Sequence, residues 1–224
     1  MELEFRVSGS AHEAFDEAAG LLAEAAGRGG HVALSGGSTP RPAYEAAARL
    51  APDWSRVEVW WADERCVPPD DERSNYRLVR ETLLDRLERG PAIEHRVRGE
   101  LEPEQAADAY EHELRGVVFD LVLLGIGPDG HTASLFPNDP AVDELDRRAA
   151  AVRRADIDRV TVTTPVLNAS QTVVFLVVGA EKADAVARAF GAKPSPSTPA
   201  SLVRSSSGRT IVLLDRAAAG ALST

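Results

Sequence analysis

The sequence predicts an α/β fold, built on a mostly parallel sheet with helices on both faces. Strand-like and helix-like segments alternate along the chain. The strand-like segments contain few polar residues, which is typical of parallel strands that are buried on both faces of a sheet. No repeat or long linker interrupts the alternation, and 224 residues are enough for one domain with a substantial core. We therefore expect residues 1–224 to form a single α/β domain.

The individual elements follow from apolar periodicity and from end signals. The first helix begins after Ser10 and meets the glycines of 27–30, and Pro103 suits the first turn of the fourth helix. The predicted helices cover 11–30, 41–51, 75–87, 103–116 and 181–190. Buried strands are predicted at 31–37, 56–63, 119–127, 159–167, 172–179 and 210–215. The Pro/Ser-rich segment 193–201 is predicted as a loop that leads into a helix.

Charge and composition argue against several classes of partner. The formal net charge of −10 disfavours nucleic acid and anionic membranes, since both attract a cationic surface. The longest apolar stretch, TVVFLVVGA, is shorter than the about 20 residues of a membrane-spanning helix, and MELEFRVSGS lacks the pattern of a secretory signal. The one cysteine, Cys66, forms no internal disulfide and builds no metal site alone. We expect a cytoplasmic protein in which a local cluster of cations holds any anionic ligand.

Residues 35–40, SGGSTP, lie between a predicted strand and a predicted helix. Glycine lets backbone N–H groups approach an anion, and the start of a helix adds the positive end of its dipole. Ser38 and Thr39 add hydroxyl donors after Gly37. An ordinary glycine turn with a Ser/Thr N-cap is the alternative. The combination favours phosphate binding, although it is neither a Walker loop nor the dinucleotide fingerprint.

Two cations stand at predicted strand ends, where ligands gather in such sheets. Arg65 follows the strand that ends in WWAD, and it is either an anion clamp or part of a solvated strand end with local ion pairs. Lys182 is one of two lysines beside 23 arginines, and it begins a helix, where a cation opposes the helix dipole unless an anion is near. The other lysine, Lys193, lies in the Pro/Ser loop. We expect Lys182 to bind an anion, with chance as the alternative explanation.

The stretch GIGPDGH at 125–131 places a histidine and a carboxylate on a glycine-rich loop after a buried strand. A histidine can take a proton from water near neutral pH, and a carboxylate can orient its ring. His131, with Asp129 two residues before it, is therefore the candidate general base. Ser134 is nearby, but the sequence has no Gly-x-Ser-x-Gly elbow for a nucleophilic serine.

Six motifs occur in order over nearly the whole chain: SGGSTP, DER with SNY, GIGPDGHTASLFP, RVTVTTPVLNAS, GAEKADAV and a late PAS. In this order they resemble the 6-phosphogluconolactonases of the pentose phosphate pathway. That family belongs to a larger group with glucosamine-6-phosphate deaminases and ribose-5-phosphate isomerases, so the resemblance implies the Rossmann-like α/β fold of that group. It also implies hydrolysis of 6-phospho-D-glucono-1,5-lactone to 6-phospho-D-gluconate without a cofactor.

The resemblance also implies roles for individual residues. His131 would be the general base, Asp129 would orient it, and Arg65 would hold the substrate near the lactone. The phosphate would be bound by the following residues: Gly37, Ser38, Thr39, Lys182 and Arg159. For Arg159 a surface arginine at a strand edge is equally consistent. No Cys/His/Asp cluster with zinc-ligand spacing occurs in the sequence, so we expect no metal.

Two other functions are weighed against the lactonase. A deaminase-type isomerase of the same group has Asp-Glu-Tyr where this chain has Asp-Glu-Arg at 63–65, and its Asp-Gly-His loop soon meets Asn-Glu-Pro. Here the loop continues TASLFP, with no carboxylate before Asp139. A sugar-phosphate-sensing module that does not catalyse is the second alternative, and a turnover assay separates it from an enzyme. The expected partner is a small sugar-phosphate lactone, and the chain is expected to be a monomer or a homodimer.

Overall fold

The computed structural model describes residues 3–222, which form ten strands and six α-helices. The strands are β1 (Leu3–Ser8), β2 (Gly30–Leu34), β3 (Val57–Trp61), β4 (Asp63–Arg65), β5 (Ile93–His95), β6 (Leu121–Leu124), β7 (Ala149–Val152), β8 (Arg159–Val162), β9 (Thr172–Val177) and β10 (Arg209–Asp215). The helices are α1 (Ala11–Arg28), α2 (Arg41–Leu50), α3 (Asn75–Thr82), α4 (Pro103–Glu113), α5 (Thr164–Ala169) and α6 (Ala183–Phe190).

Seven of these strands form one parallel sheet in the order β1-β10-β9-β6-β2-β3-β5. Side chains alternate between its two faces, as they must in a strand. In β2, for example, Ala33 packs into one core cluster, whereas Val32 and Leu34 pack into the other. The predicted α/β fold with a mostly parallel sheet is confirmed.

The two faces of the sheet carry different helices. Helices α1, α2 and α3 supply buried residues to the cluster on one face. Helices α4, α5 and α6 supply buried residues to the cluster on the other face. Buried alanines dominate α1 and α2, and their small side chains let these helices lie close to each other and to the sheet.

A second, three-stranded sheet packs into the same cluster as α4–α6, and it corrects one sequence prediction. Strands β4, β8 and β7 pair antiparallel in that order. The segment 159–167 was predicted as one buried strand of the main sheet, but the strand ends at Val162 and α5 begins at Thr164. Pro165 lies in the first turn of α5, where its missing N–H costs no hydrogen bond. An apolar run of this length does not distinguish strand from helix by periodicity.

Four strands are absent from the sequence prediction, namely β1, β4, β5 and β7. β4 and β5 are three residues long, and β7 is three alanines and a valine, so their own β-propensity is weak. The segment 193–201 is a loop that leads into a short 3₁₀ turn at Pro199–Leu202. Among residues 3–222, no helix has both the length and the apolar character needed to cross a membrane.

Candidate active site

The candidate site lies where four neighbouring strands of the parallel sheet end. β9, β6, β2 and β3 are adjacent in the sheet, so their parallel direction brings the loops after them to one edge. A cavity of about 220 Å³ opens between these loops. Six of the predicted site residues line it: Gly37, Ser38, Thr39, Arg65, His131 and Lys182.

The imidazole of His131 is paired with the carboxylate of Asp129. Nδ1 of the ring lies 2.6 Å from Oδ1 of Asp129, which also accepts the backbone N–H of His131 at 3.1 Å. Partial burial acts to raise the pKa of the Asp129 carboxyl, but the hydrogen bonds and charge of His131 outweigh it and hold that pKa below its usual range. An Nδ1–H that donates to this carboxylate leaves Nε2 with a free lone pair. The ring is therefore oriented to accept a proton at Nε2.

The loop that carries His131 is fixed by short backbone contacts. The N–H of Gly127 donates to the carbonyl of His131, and the N–H of Gly130 donates to the carbonyl of Gly127, both at 2.9 Å. The hydroxyl of Thr132 donates to the carbonyl of Gly125 at 2.9 Å. A Cβ on Gly127 would lie 2.1 Å from Cε1 and Nδ1 of His131. Glycine at 127 is thus required because the ring packs directly against this backbone.

Two segments near the C-terminal end of the chain form hydrogen bonds with the same loop. The N–H of Ala200, in the late PAS motif, donates to the carbonyl of Gly130 at 3.0 Å. The guanidinium of Arg188, on α6, donates to the carbonyl of Pro128 at 2.8 Å. These contacts explain why a motif far along the sequence accompanies the Asp-Gly-His loop.

The loop SGGSTP is anchored at its base and open at its tip. The hydroxyl of Tyr44 donates to the carbonyl of Ser35 at 2.6 Å and accepts its N–H at 3.1 Å. A Cβ on Gly36 would lie 1.7 Å from Oδ1 of Asn75, so that side of the loop is filled. Gly37 has φ of 95°, and a Cβ there would meet nothing within 4 Å. The loop therefore presents exposed backbone next to the start of α2, which is a favourable place for an anion.

Glu64 joins the DER motif to the SNY motif. Its carboxylate is buried and accepts the backbone N–H groups of Asn75 and Tyr76, both at 2.7 Å, and the hydroxyl of Ser74 at 3.0 Å. Burial raises the pKa of the Glu64 carboxyl to about 7, against the backbone hydrogen bonds that it accepts. Ser74 is also the N-cap of α3, since its oxygen accepts the N–H of Arg77 at 3.2 Å. Glu64 is thus a helix-capping residue.

Arg65, in β4, and Lys182, after β9, both line the cleft. The guanidinium of Arg65 donates through Nη1 to the carbonyl of Arg73 at 2.5 Å and still lines the cavity. Lys182 follows β9 through a turn at Gly179, whose N–H donates to the Asp215 carboxylate at 3.1 Å. No carboxylate of residues 3–222 forms an ion pair with Lys182 or with Arg65. Both cations are available to an anionic ligand.

Arg159 is not among the residues that line the cleft. Its guanidinium binds the carboxylate of Asp156 at 2.7 Å and lies 5.2 Å from the centre of the Phe136 ring. Phe136 in turn packs against the His131 ring, with 4.7 Å between the ring centres. Strand β8 belongs to the small sheet, so Arg159 meets the site through Phe136 and not through the phosphate loop. Arg159 is therefore not included in the phosphate site that we propose.

Two polar residues of the cleft that lie outside the SGGSTP loop were not singled out as site residues from the sequence. Asp63 and Asn75 both line the cavity. The Asp63 carboxylate is buried and accepts the hydroxyl of Ser134 at 2.6 Å, and Nδ2 of Asn75 donates to the carbonyl of Asp63 at 2.9 Å. The position of Asp63, directly after a buried strand and two residues before Arg65, is a signal that could have identified it. The described residues 3–222 contain no cluster of three or more His, Cys, Asp or Glu side chains that could hold a metal ion.

The fold alone places the chain in a known structural class. A monomeric glucosamine-6-phosphate deaminase has the same fold, with a TM-score of 0.85 over 99% of this chain and 100% of that chain, at 20% sequence identity. The family model of glucosamine-6-phosphate isomerases/6-phosphogluconolactonase matches residues 6–212. This chain belongs to that family.

Individual members of the family give a more specific comparison than the family model. The chain is 42% identical to a 6-phosphogluconolactonase of Synechocystis sp. over 200 residues, which is 84% of this chain and 83% of that protein. It is 38% identical to a human 6-phosphogluconolactonase over 203 residues, covering 84% and 79% of the two chains. The crystal structure of a 6-phosphogluconolactonase from Thermotoga maritima superposes with a TM-score of 0.82 at 32% identity, over 95% of this chain and 98% of that one.

Proposed function

We propose that this chain hydrolyses 6-phospho-D-glucono-1,5-lactone to 6-phospho-D-gluconate in the oxidative pentose phosphate pathway. The observation that carries the proposal is the His131–Asp129 pair in a cleft that also presents the SGGSTP loop, Arg65 and Lys182. The names of the relatives that align over most of the chain agree with it.

The phosphate of the substrate is remote from the reacting carbon and is bound by the SGGSTP loop and Lys182. Backbone N–H of Gly37 and the hydroxyls of Ser38 and Thr39 donate to its oxygens, and Lys182 neutralises part of its charge. Binding energy from this remote group then holds the lactone ring against the base, which is how a non-reacting group contributes to the rate.

His131 activates the water. Nε2 takes a proton from a water molecule while Asp129 stabilises the imidazolium that forms. The water oxygen bonds to C1 of the lactone, and the carbonyl electrons move to the oxygen to give a tetrahedral oxyanion. Arg65 or N–H groups of the loops stabilise that negative charge. When the carbonyl reforms, the C1–O5 bond breaks, and O5 takes the proton from Nε2.

A deaminase-type isomerase is not favoured. The family pattern of the deaminase places a carboxylate shortly after the Asp-Gly-His loop. In this chain the first carboxylate after the loop is Asp139, and it accepts the N–H of Ala141 at 3.0 Å, where it caps a 3₁₀ turn. Within residues 3–222 no hydrogen bond or ion pair joins this carboxylate to His131, whose ring is paired with Asp129. Arg65 occupies the position of the deaminase tyrosine.

Hydrolysis of freshly generated 6-phosphogluconolactone, followed by pH-stat with the spontaneous rate subtracted, tests the proposal. The wild-type chain should release acid well above the background. A folded His131→Ala variant should lose roughly 10²-fold or more in kcat, the usual scale for a lost general base. A wild-type rate equal to the background would contradict the function, and near-native kcat in His131→Ala would contradict the base. The cytoplasmic location expected from the sequence stays a prediction, which cell fractionation would test.

A further inference from the structure

Strand β1 (Leu3–Ser8) forms one edge of the seven-stranded sheet. Its residues pair with β10 on one side, and within residues 3–222 no strand pairs with its other side. Phe5 is 42% exposed and Val7 is 52% exposed, although both are large apolar side chains. A free sheet edge with exposed apolar residues is a template for pairing with another strand.

The two faces of β1 differ in character. Leu3, Phe5 and Val7 share one face, and the ring of Phe5 contacts that of Phe190 on α6, with 5.9 Å between centres. Glu4 and Arg6 share the other face and form an ion pair of 2.6 Å with each other. The strand therefore alternates apolar residues with opposite charges.

We propose that this edge is a homodimer interface, in which β1 of a second copy pairs antiparallel with β1 around a two-fold axis at Phe5. In that register Leu3 lies opposite Val7 of the second copy, and Phe5 lies opposite its own equivalent. Glu4 lies opposite Arg6 of the second copy, so every charged pair is attractive. Apolar pairs and opposite charges placed directly across two strands both stabilise a sheet.

The register follows from the charges. A two-fold axis perpendicular to the sheet pairs residues of the same face, so the next possible registers are centred on Glu4 or on Arg6. The first would place two glutamates directly opposite each other, and the second would place two arginines opposite each other. Like charges in these positions are destabilising. Of these three registers, only the one centred on Phe5 places each charged residue opposite a residue of opposite charge.

The pairing does not involve the cleft. β10 separates β1 from β9, and β9 is the nearest strand whose loop lines the cavity. Antiparallel strands also point their carboxyl ends in opposite directions, so the two clefts of the dimer would open at opposite edges of the joined sheet. We expect kcat and KM to be the same in monomer and dimer.

Sedimentation velocity over a range of protein concentrations tests the interface with a charge swap. The wild-type mass should rise from one chain to two as the concentration increases. Glu4→Arg and Arg6→Glu, made singly, should each shift the equilibrium to the monomer, because each creates like charges across the two-fold. The double variant Glu4→Arg/Arg6→Glu restores opposite charges and should dimerise again. Leu145→Lys, at another exposed apolar residue (70% exposed), is the control and should dimerise like the wild type.

Thermal unfolding of each variant checks that the fold is intact, since Arg6 also lies 3.9 Å from Glu17 of α1. A wild-type protein with the mass of one chain at every concentration overturns the interface. Dimers that persist in both folded single variants also overturn it, because they would use another surface. A double variant that folds but stays monomeric overturns the proposed register.

Discussion

At the residue scale, Asp129 and His131 share a hydrogen bond of 2.6 Å between Oδ1 and Nδ1. The pKa of the Asp129 carboxyl is held low, so this group is a carboxylate at every pH above its usual range. A constant negative charge beside the ring favours the protonated imidazole that forms when water is activated. The geometry thus assigns Asp129 an electrostatic role that does not titrate at neutral pH.

Replacing this carboxylate with a neutral amide is therefore informative. We expect Asp129→Asn to lower kcat at least about tenfold, and up to about 10⁴-fold where the ring takes the wrong tautomer. A pH-stat assay at neutral pH, where the low pKa of the Asp129 carboxyl keeps the wild-type group ionised, measures kcat. A kcat equal to that of the wild type would show that the charge of Asp129 does not act on the reacting group.

Lys182 provides a second test at the scale of one residue, with a matched control in the same chain. Loss of one charge-assisted hydrogen bond costs roughly 1.5–3 kcal/mol, so Lys182→Ala should weaken inhibition by 6-phosphogluconate about 10- to 100-fold. Lys182→Arg should restore part of it, since a planar fork does not superpose on a compact ammonium. Lys193→Ala removes the other, exposed lysine and should leave inhibition unchanged. Wild-type inhibition of Lys182→Ala would remove this residue from the phosphate site.

At the element scale, the site depends on how closely the His131 loop packs on itself. The ring leaves no space for a side chain at 127, whereas a Cβ on Gly125 would meet nothing within 4 Å. The two glycines lie in one loop and both line the cleft, but the His131 ring packs only against Gly127. Alanine substitutions at the two positions therefore distinguish the effect of displacing the His131 ring from the effect of making the loop less flexible.

We expect Gly127→Ala to lower kcat by roughly tenfold or more, because the added methyl group displaces the ring from its productive position by more than the tolerance of general-base catalysis. Gly125→Ala should fold equally well and leave the His131 ring in place, so its kcat should fall less than that of Gly127→Ala, although both glycines line the cleft. Steady-state kinetics, together with circular dichroism of both variants, measures the difference. Equal kcat values for the two variants would mean that the ring position tolerates the methyl group.

The elements also show what can be predicted from sequence. Long, strongly periodic segments such as α1 and the apolar strands β6 and β9 were predicted near their observed positions, because local pattern and burial agree there. The segment 159–167 was misassigned because an apolar run does not distinguish a strand from a helix by periodicity. β4, β5 and β7 were missed because their own β-propensity is weak and they are strands only through pairing, β4 and β7 with β8 and β5 with β3. The same holds for the site. The loops after β2 and β6 carry local signals, whereas the contact of Asp63 with Ser134 exists only after folding.

At the scale of the whole molecule, a chain with a net charge of −10 must bind an anionic substrate. Within the cleft the local charge is positive, since Arg65, in β4, and Lys182, after β9, both line it. Neither cation forms an ion pair with a carboxylate of residues 3–222. At about 0.15 M ionic strength the Debye length is about 8 Å, so distant surface carboxylates are largely screened from a ligand in the cleft. Under such conditions the nearby cations dominate recognition.

Two lactones that differ only in the phosphate group test this recognition directly. If the SGGSTP loop and Lys182 bind the phosphate, glucono-1,5-lactone without phosphate loses at least two charge-assisted hydrogen bonds, and its kcat/KM should be about 10²- to 10⁴-fold lower. Part of the loss should lie in kcat, because the phosphate also holds the ring against His131. The ratio of the two kcat/KM values should shrink in Lys182→Ala and stay constant in Lys193→Ala, all measured at about 0.15 M ionic strength, where nearby charges dominate. Similar kcat/KM values for both lactones in the wild type would mean that the cleft does not recognise the phosphate, even if His131 is the base.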